Sequence, residues 1–141
     1  MSRYIPVKIK RLVAQRAGYA CEYCGLPQKA GFFIFQIEHI ISLKHKGSHD
    51  LENLAYSCSV CNRNKGTDLG TLAGAPPQLT RFFHPRMDVW REHFELDETG
   101  VINPLSTIAE ATVNALEMNH YEQIINRKIL IEAGIITLDS I

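Results

Sequence analysis

Apolar residues recur at helical spacing over residues 6–17, where Ile9, Leu12 and Val13 share a face. Pro6 suits a first helical turn and Gly18 stands where the helix should stop. The pattern then changes period. Phe32-Phe33-Ile34-Phe35-Gln36-Ile37-Glu38-His39-Ile40-Ile41 is dominated by aromatic and β-branched side chains and predicts a strand that ends near Glu38-His39. Polar residues 44–50, with Gly47 and Ser48, predict a loop. Residues 51–56 predict either a second short strand or a single turn packed by Leu51, Leu54 and Tyr56, and helix is expected over 61–65. Residues 67–77, rich in Gly and Ala and containing Pro76-Pro77, predict a linker. Beyond it, residues 90–96 and 101–102 flank Asp97-Glu98-Thr99-Gly100 as a hairpin. Asn103 and Pro104 are expected to cap and open a helix reaching about residue 118, with Leu105, Ile108, Ala109, Thr112, Ala115 and Leu116 on one side. A last helix is expected over 121–133, closed by Gly134.

A chain of 141 residues can bury one core. The expected class is α+β, with residues 1–75 as a core carrying the N-terminal helix and residues 76–141 as an extension packed on it. Apolar content of 45% and charged content of 21% exclude a disordered chain. No apolar run approaches the roughly 18 residues that span a bilayer. The N-terminus, Met1-Ser2-Arg3-Tyr4-Ile5-Pro6, lacks the apolar stretch of a secretory leader, so a reducing cytoplasm is expected.

Net charge is zero, but it is unevenly spread. Through Gly66 there are ten Lys and Arg against four acids, a formal +6, and the remainder carries five against eleven, a formal −6. A basic half suits a nucleic-acid partner, because Lys and Arg displace the counterions condensed on phosphates; a solvated mixed surface is the plainer alternative.

The chemistry concentrates in that basic half. Cys21-Glu22-Tyr23-Cys24, closed by Gly25, and Cys58-Ser59-Val60-Cys61 are two C-x-x-C knuckles, and four thiolates suit one tetrahedral structural zinc. Such a saturated ion does no hydrolysis, so any reaction falls to the polar residues that it holds in place. His39 is suited to act as a base near neutral pH. Glu38 offers a hard oxygen to Mg2+ or Mn2+, Asn62 a second, and Asn53 could hold the His39 loop. Arg63 and Lys65 near a helix start, with Lys44 and Lys46, could follow a phosphate backbone. His45 and His49 read as solvated loop residues, and Trp90, Phe94, Phe82 and Phe83 as core.

In this order, Cys21-x-x-Cys24, Glu38-His39-Ile40-Ile41, Gly47, Asn53-Leu54 and Cys58-x-x-Cys61-Asn62-x-x-Lys65-Gly66 resemble the zinc-stapled branch of the HNH endonucleases. The resemblance covers roughly a third of the chain. It implies a ββα-metal fold and hydrolysis of DNA to a 5′-phosphate and a 3′-hydroxyl. It further implies Glu38 and Asn62 as ligands of a catalytic divalent ion, His39 as general base and Asn53 as the residue orienting the His39 loop. Two departures stand out: Glu38 where many members have Asp, and no proline shortly after His39, where Ser42 and Leu43 stand. The extension, with Phe83-His84-Pro85-Arg86 and Trp90-Arg91-Glu92-His93-Phe94, resembles one found on some bacterial HNH proteins. One such centre cuts one strand, so double-strand cleavage would call for a homodimer or two events. Two other readings stand beside the enzyme. A zinc-stabilised nucleic-acid- or protein-binding module needs the knuckles and not the dyad, and a thiol redox protein would leave its cysteines titratable.

Overall fold

The computed structural model describes residues 5–139 and 141. The first four residues, including Arg3 and most of the stretch read for a leader, lie outside these. α1 (Val7–Arg16) follows Pro6, and its Val13 and Ala14 are buried. They pack on Leu54 and Tyr56, with Phe35 and Ile37 beside them. Those partners belong to a two-stranded antiparallel sheet of β1 (Phe35–His39) and β2 (Leu54–Cys58), in which His39 lies opposite Leu54 and Phe35 opposite Cys58.

β1 is shorter than the apolar run 32–41 predicts, because Phe32 and Ile34 lie exposed outside the ladder. Both alternatives for residues 51–56 are realised: a single 3-10 turn, Leu51–Asn53, runs directly into β2. α2 (Ser59–Lys65) starts two residues earlier than expected, because Cys58 caps it, its Sγ accepting the Cys61 N–H at 3.4 Å. Two strands and one helix thus form a ββα unit.

The expected linker is instead a hairpin. β3 (Gly70–Ala73) pairs with β4 (Gln78–Arg81), and Pro76 and Pro77 fall in the turn, where a missing N–H breaks no ladder bond. The 75/76 division falls within the turn of this hairpin. After a short turn, α3 (Trp90–His93), the hairpin around 97–100 consists of β5 (Phe94–Leu96) and β6 (Ile102–Pro104). Asn103 and Pro104 are strand residues and not a cap. α4 (Thr107–Ala115) is capped by Ser106, whose Oγ accepts from Ala109 N at 3.0 Å. α5 (Tyr121–Glu132) closes at Gly134 as the sequence predicts.

The ββα unit is too small to bury both faces of its sheet, and the extension completes the job. A single apolar cluster joins the four cysteines, Ala55 and Val60 to Phe82, Phe83, Phe94, Leu116 and Met118. Every residue of β2 is consequently buried. Polar ties reinforce this contact. Trp90 Nε1 donates to the Tyr23 carbonyl at 2.8 Å, so the extension grips the first knuckle, and Asn64 Nδ2 donates to Leu116 O at 2.9 Å. Arg127, 2% exposed, donates to the carbonyls of Gly100 and Met118 at 2.7 and 2.6 Å, binding the β5–β6 turn to the end of α4. No helix among the described residues is long and apolar enough to cross a membrane.

Candidate functional site

The two knuckles arrive from different elements. Cys21 and Cys24 lie in the turn after α1, tightened by Gly25 N–H to Cys21 O at 2.9 Å, while Cys58 ends β2 and Cys61 begins α2. All four are buried and free, and their Sγ atoms lie within 4.8 Å of one another. A Zn–S bond of about 2.3 Å puts the edge of a tetrahedron at roughly 3.8 Å. The Cys24–Cys58 Sγ separation is 3.8 Å, far beyond the roughly 2.05 Å of a disulfide. Hydrogen bonds from Cys21, Cys24 and Cys61 draw the Cys58 thiol well below its ordinary range, while donating such bonds pushes the Cys24 and Cys61 thiols well above theirs. The donor set and its spacing fit one zinc ion.

Tyr23, between the first two cysteines, connects this cluster to β1. Its hydroxyl donates to Glu38 Oε1 at 3.0 Å, and Lys65 Nζ lies 3.1 Å from the same oxygen and donates to Ile40 O at 2.8 Å. Burial pushes the Glu38 carboxyl up to about 7, against the pull of the Lys65 ammonium and of the hydrogen bonds from Lys65 and Tyr23. Here the structure corrects the sequence reading. Lys65 is 2% exposed and turned inward, so it balances Glu38 and does not reach for phosphate. Burying a charge is costly enough that the ammonium goes to the one carboxylate available inside.

Lys65→Met should therefore lower unfolding stability by up to about 3 kcal/mol at pH 8, where an ionised Glu38 would be left buried and unpaired. The variant's folded Glu38 pKa would lie further above its unfolded value. Stability from this group is then fullest below the unfolded pKa and falls as pH rises towards the folded one. Urea titrations at pH 5 and pH 8 should show the larger deficit at pH 8; equal deficits would contradict the ion pair.

Successive residues of β1 alternate between faces, which places Phe35, Ile37 and His39 towards α1 and Gln36 and Glu38 towards α2. Among the described residues, β1 has no second strand on its outer edge. A groove of about 990 Å³ wraps that edge and is lined by His39, Glu38, Gln36 and Asn62, with Lys10 and Arg11 of α1 and Lys44 of the loop. The Asn62 amide donates to Gln36 Oε1, which leaves its own oxygen for another partner. Lys46 and Arg63 are exposed outside this lining.

Asn53, 8% exposed, lies behind the groove. Its side chain accepts from Ile41 N at 2.9 Å and donates to Ile41 O at 2.9 Å and Ser48 O at 2.8 Å, clamping both ends of the loop after His39. Gly47 is obligatory in that clamp, since a Cβ there would meet Ile41 O at 1.7 Å. Asn53→Ala removes the side-chain partner of three part-buried backbone groups, at about 1 kcal/mol for each hydrogen bond lost. The expected result is a melting point several degrees lower and faster amide exchange at Ile41; unchanged exchange would contradict the clamp.

Glu38, His39, Asn62 and Lys44 thus share one groove, Asn53 clamps the loop after His39, and Lys46 and Arg63 are exposed outside the lining. Sequence reasoning missed Gln36, His49, whose Nδ1 lies 3.0 Å from His39 Nε2, and Tyr23. Only Tyr23 carried a signal, its place inside a knuckle. No curated protein matches the chain, and no solved structure does. Residues 21–68 match the family model described as HNH endonuclease, the stretch that holds both knuckles, the dyad, Asn53 and Asn62. The matched stretch, about a third of the chain, is thus similar to an HNH endonuclease domain, with α1 and the extension outside it.

Proposed function

We propose that the protein is a metal-dependent endonuclease that hydrolyses DNA phosphodiester bonds in the groove along β1. The observation that carries this reading is the convergence of His39, Glu38 and Asn62 on one open, basic-walled groove. His39 takes a proton from water, whose oxygen bonds to phosphorus as the bond to the 3′ oxygen breaks. The products are a 5′-phosphate and a 3′-hydroxyl. Glu38, through the oxygen not held by Tyr23 and Lys65, and Asn62 are hard donors that fit Mg2+ or Mn2+. Such an ion supplies positive charge to the departing oxygen. Buried zinc on Cys21, Cys24, Cys58 and Cys61 has a structural role: it fixes Tyr23, and through Tyr23 the carboxyl of Glu38.

Lys10 and Arg11 on one wall, Lys44 in the groove, and Lys46 and Arg63 beside it suit a phosphate backbone. Their contacts position DNA without reading bases, so little sequence preference is expected of this core. One centre per chain nicks one strand at a time.

The alternative is a zinc-stabilised module that binds nucleic acid without cutting it. Supercoiled plasmid incubated with the zinc-loaded protein and Mg2+ or Mn2+ separates the two. Conversion to open circle, stopped by omitting the divalent ion, supports the enzyme. A gel shift that weakens with salt, with the plasmid still supercoiled under every metal tried, supports the module.

A further inference from the structure

Within the nuclease reading, on which this inference rests, we propose that His49 is the positioning residue for His39, holding its imidazole in the tautomer that can accept a proton. His39 Nε2 and His49 Nδ1 lie 3.0 Å apart, with the rings 66° from coplanar and their centroids 5.0 Å apart. At that separation the two nitrogens share one proton. If His49 donated it, the lone pair of His39 Nε2 would be consumed and the remaining ring proton of neutral His39 would sit on Nδ1. No nitrogen would then be left to act as base. In the competent arrangement His39 Nε2–H donates to His49 Nδ1, and the lone pair of His39 Nδ1 is the one that accepts from water.

His49 then carries its own proton on Nε2. That atom is buried and finds no hydrogen-bond partner among the described residues. A base oriented by an acceptor on its other ring nitrogen is a general device; here the acceptor is a second imidazole in place of a carboxylate or carbonyl.

The loop is built to deliver His49 to this position. Asn53 ties Ile41 to Ser48, the residue immediately before His49. Gly47 N–H bonds back to Ser42 O at 2.9 Å, and the space that a side chain would need at Gly47 is filled by Ile41 O. The chain leaves β1 at His39, turns within that clamp and returns with His49 against the same ring. Asn53 thus acts on His39 through His49 as well as through the backbone.

Two measurements test this on zinc-loaded full-length protein. The first follows imidazole nitrogens by long-range 1H–15N NMR and needs no cleavage. Wild-type His39 should show a single tautomer protonated at Nε2, and His49→Ala should show both. A His39 protonated at Nδ1, or a tautomer unchanged by His49→Ala, overturns the proposal whether or not the protein cuts DNA. The second is steady-state nicking. His49→Ala should lower kcat about 10- to 100-fold with KM for DNA nearly unchanged. His49→Asn, which keeps an acceptor near the Nδ1 position, should recover most of that loss. Equal kcat in all three, or Ala and Asn variants equally impaired with full zinc content, overturns it. Absence of nicking by wild type counts against the nuclease reading and leaves the tautomer test to decide the role of His49.

Discussion

Cys58→Ser is expected to abolish cooperative folding, and stripping zinc from the wild-type protein should do the same. A structural zinc on four thiolates contributes about 10–16 kcal/mol of apparent binding energy, comparable with or greater than the roughly 5–15 kcal/mol net stability of a whole domain. The four cysteines belong to the larger apolar cluster, and β2, which ends at Cys58, is buried along its whole length. Cys58 has a second duty as the cap of α2, its Sγ accepting from Cys61 N. Serine retains a cap and loses a soft ligand, so the comparison isolates the metal. Atomic absorption should find about one zinc per wild-type chain and almost none in Cys58→Ser. Circular dichroism should show a sharp thermal transition in the first and a broad or absent one in the second. A wild-type transition unmoved by a strong chelator, or thiols oxidised to cystines in the native protein, would contradict this part of the account.

The ββα unit and its cysteine cluster were largely legible in the sequence because they obey local rules. Paired C-x-x-C spacing announces a metal whatever surrounds it, and the switch from helical spacing to a β-branched run locates β1. Other elements depended on contacts that no local pattern records. Residues 67–77 read as a linker because Gly, Ala and Pro dominate, yet β3 and β4 form there, with α4 packed beside them: Glu110 Oε2 accepts from Gly74 N at 2.7 Å, and Thr112 Oγ1 accepts from Phe83 N at 2.8 Å. Asn103-Pro104 has the chemistry of a helix start, but pairing with Phe94 and Glu95 claims both residues first and leaves Ser106 to cap α4.

Within the groove, residue type alone did not give a side chain's direction. A lysine three residues after Asn62 suggested phosphate; its ammonium is consumed by Glu38, a partner that only the tertiary fold puts within 3.1 Å. His49 looked like one more polar loop residue, and only closure of that loop by Asn53 and Gly47 brings it to His39. Lys10 and Arg11 were legible as a cationic helix face, but not as the wall opposite Asn62.

His39→Ala carries the largest expected effect on activity. Removing a positioned general base costs about 10²–10⁴ in rate, equivalent to roughly 3–5 kcal/mol of barrier. His39 is half-buried at the end of β1, outside the zinc cluster and both apolar cores, so its loss should leave zinc content and thermal transition close to those of wild type. His39→Gln keeps polarity without a comparable base and should be impaired nearly as much. The measurement that bears most directly on the whole account is therefore the first-order rate of plasmid nicking by wild type and His39→Ala, prepared with equal zinc and assayed in the same Mg2+ or Mn2+ buffer. The account predicts open-circle product from the wild type and a variant at least a hundredfold slower. Equal rates from the two proteins would contradict it.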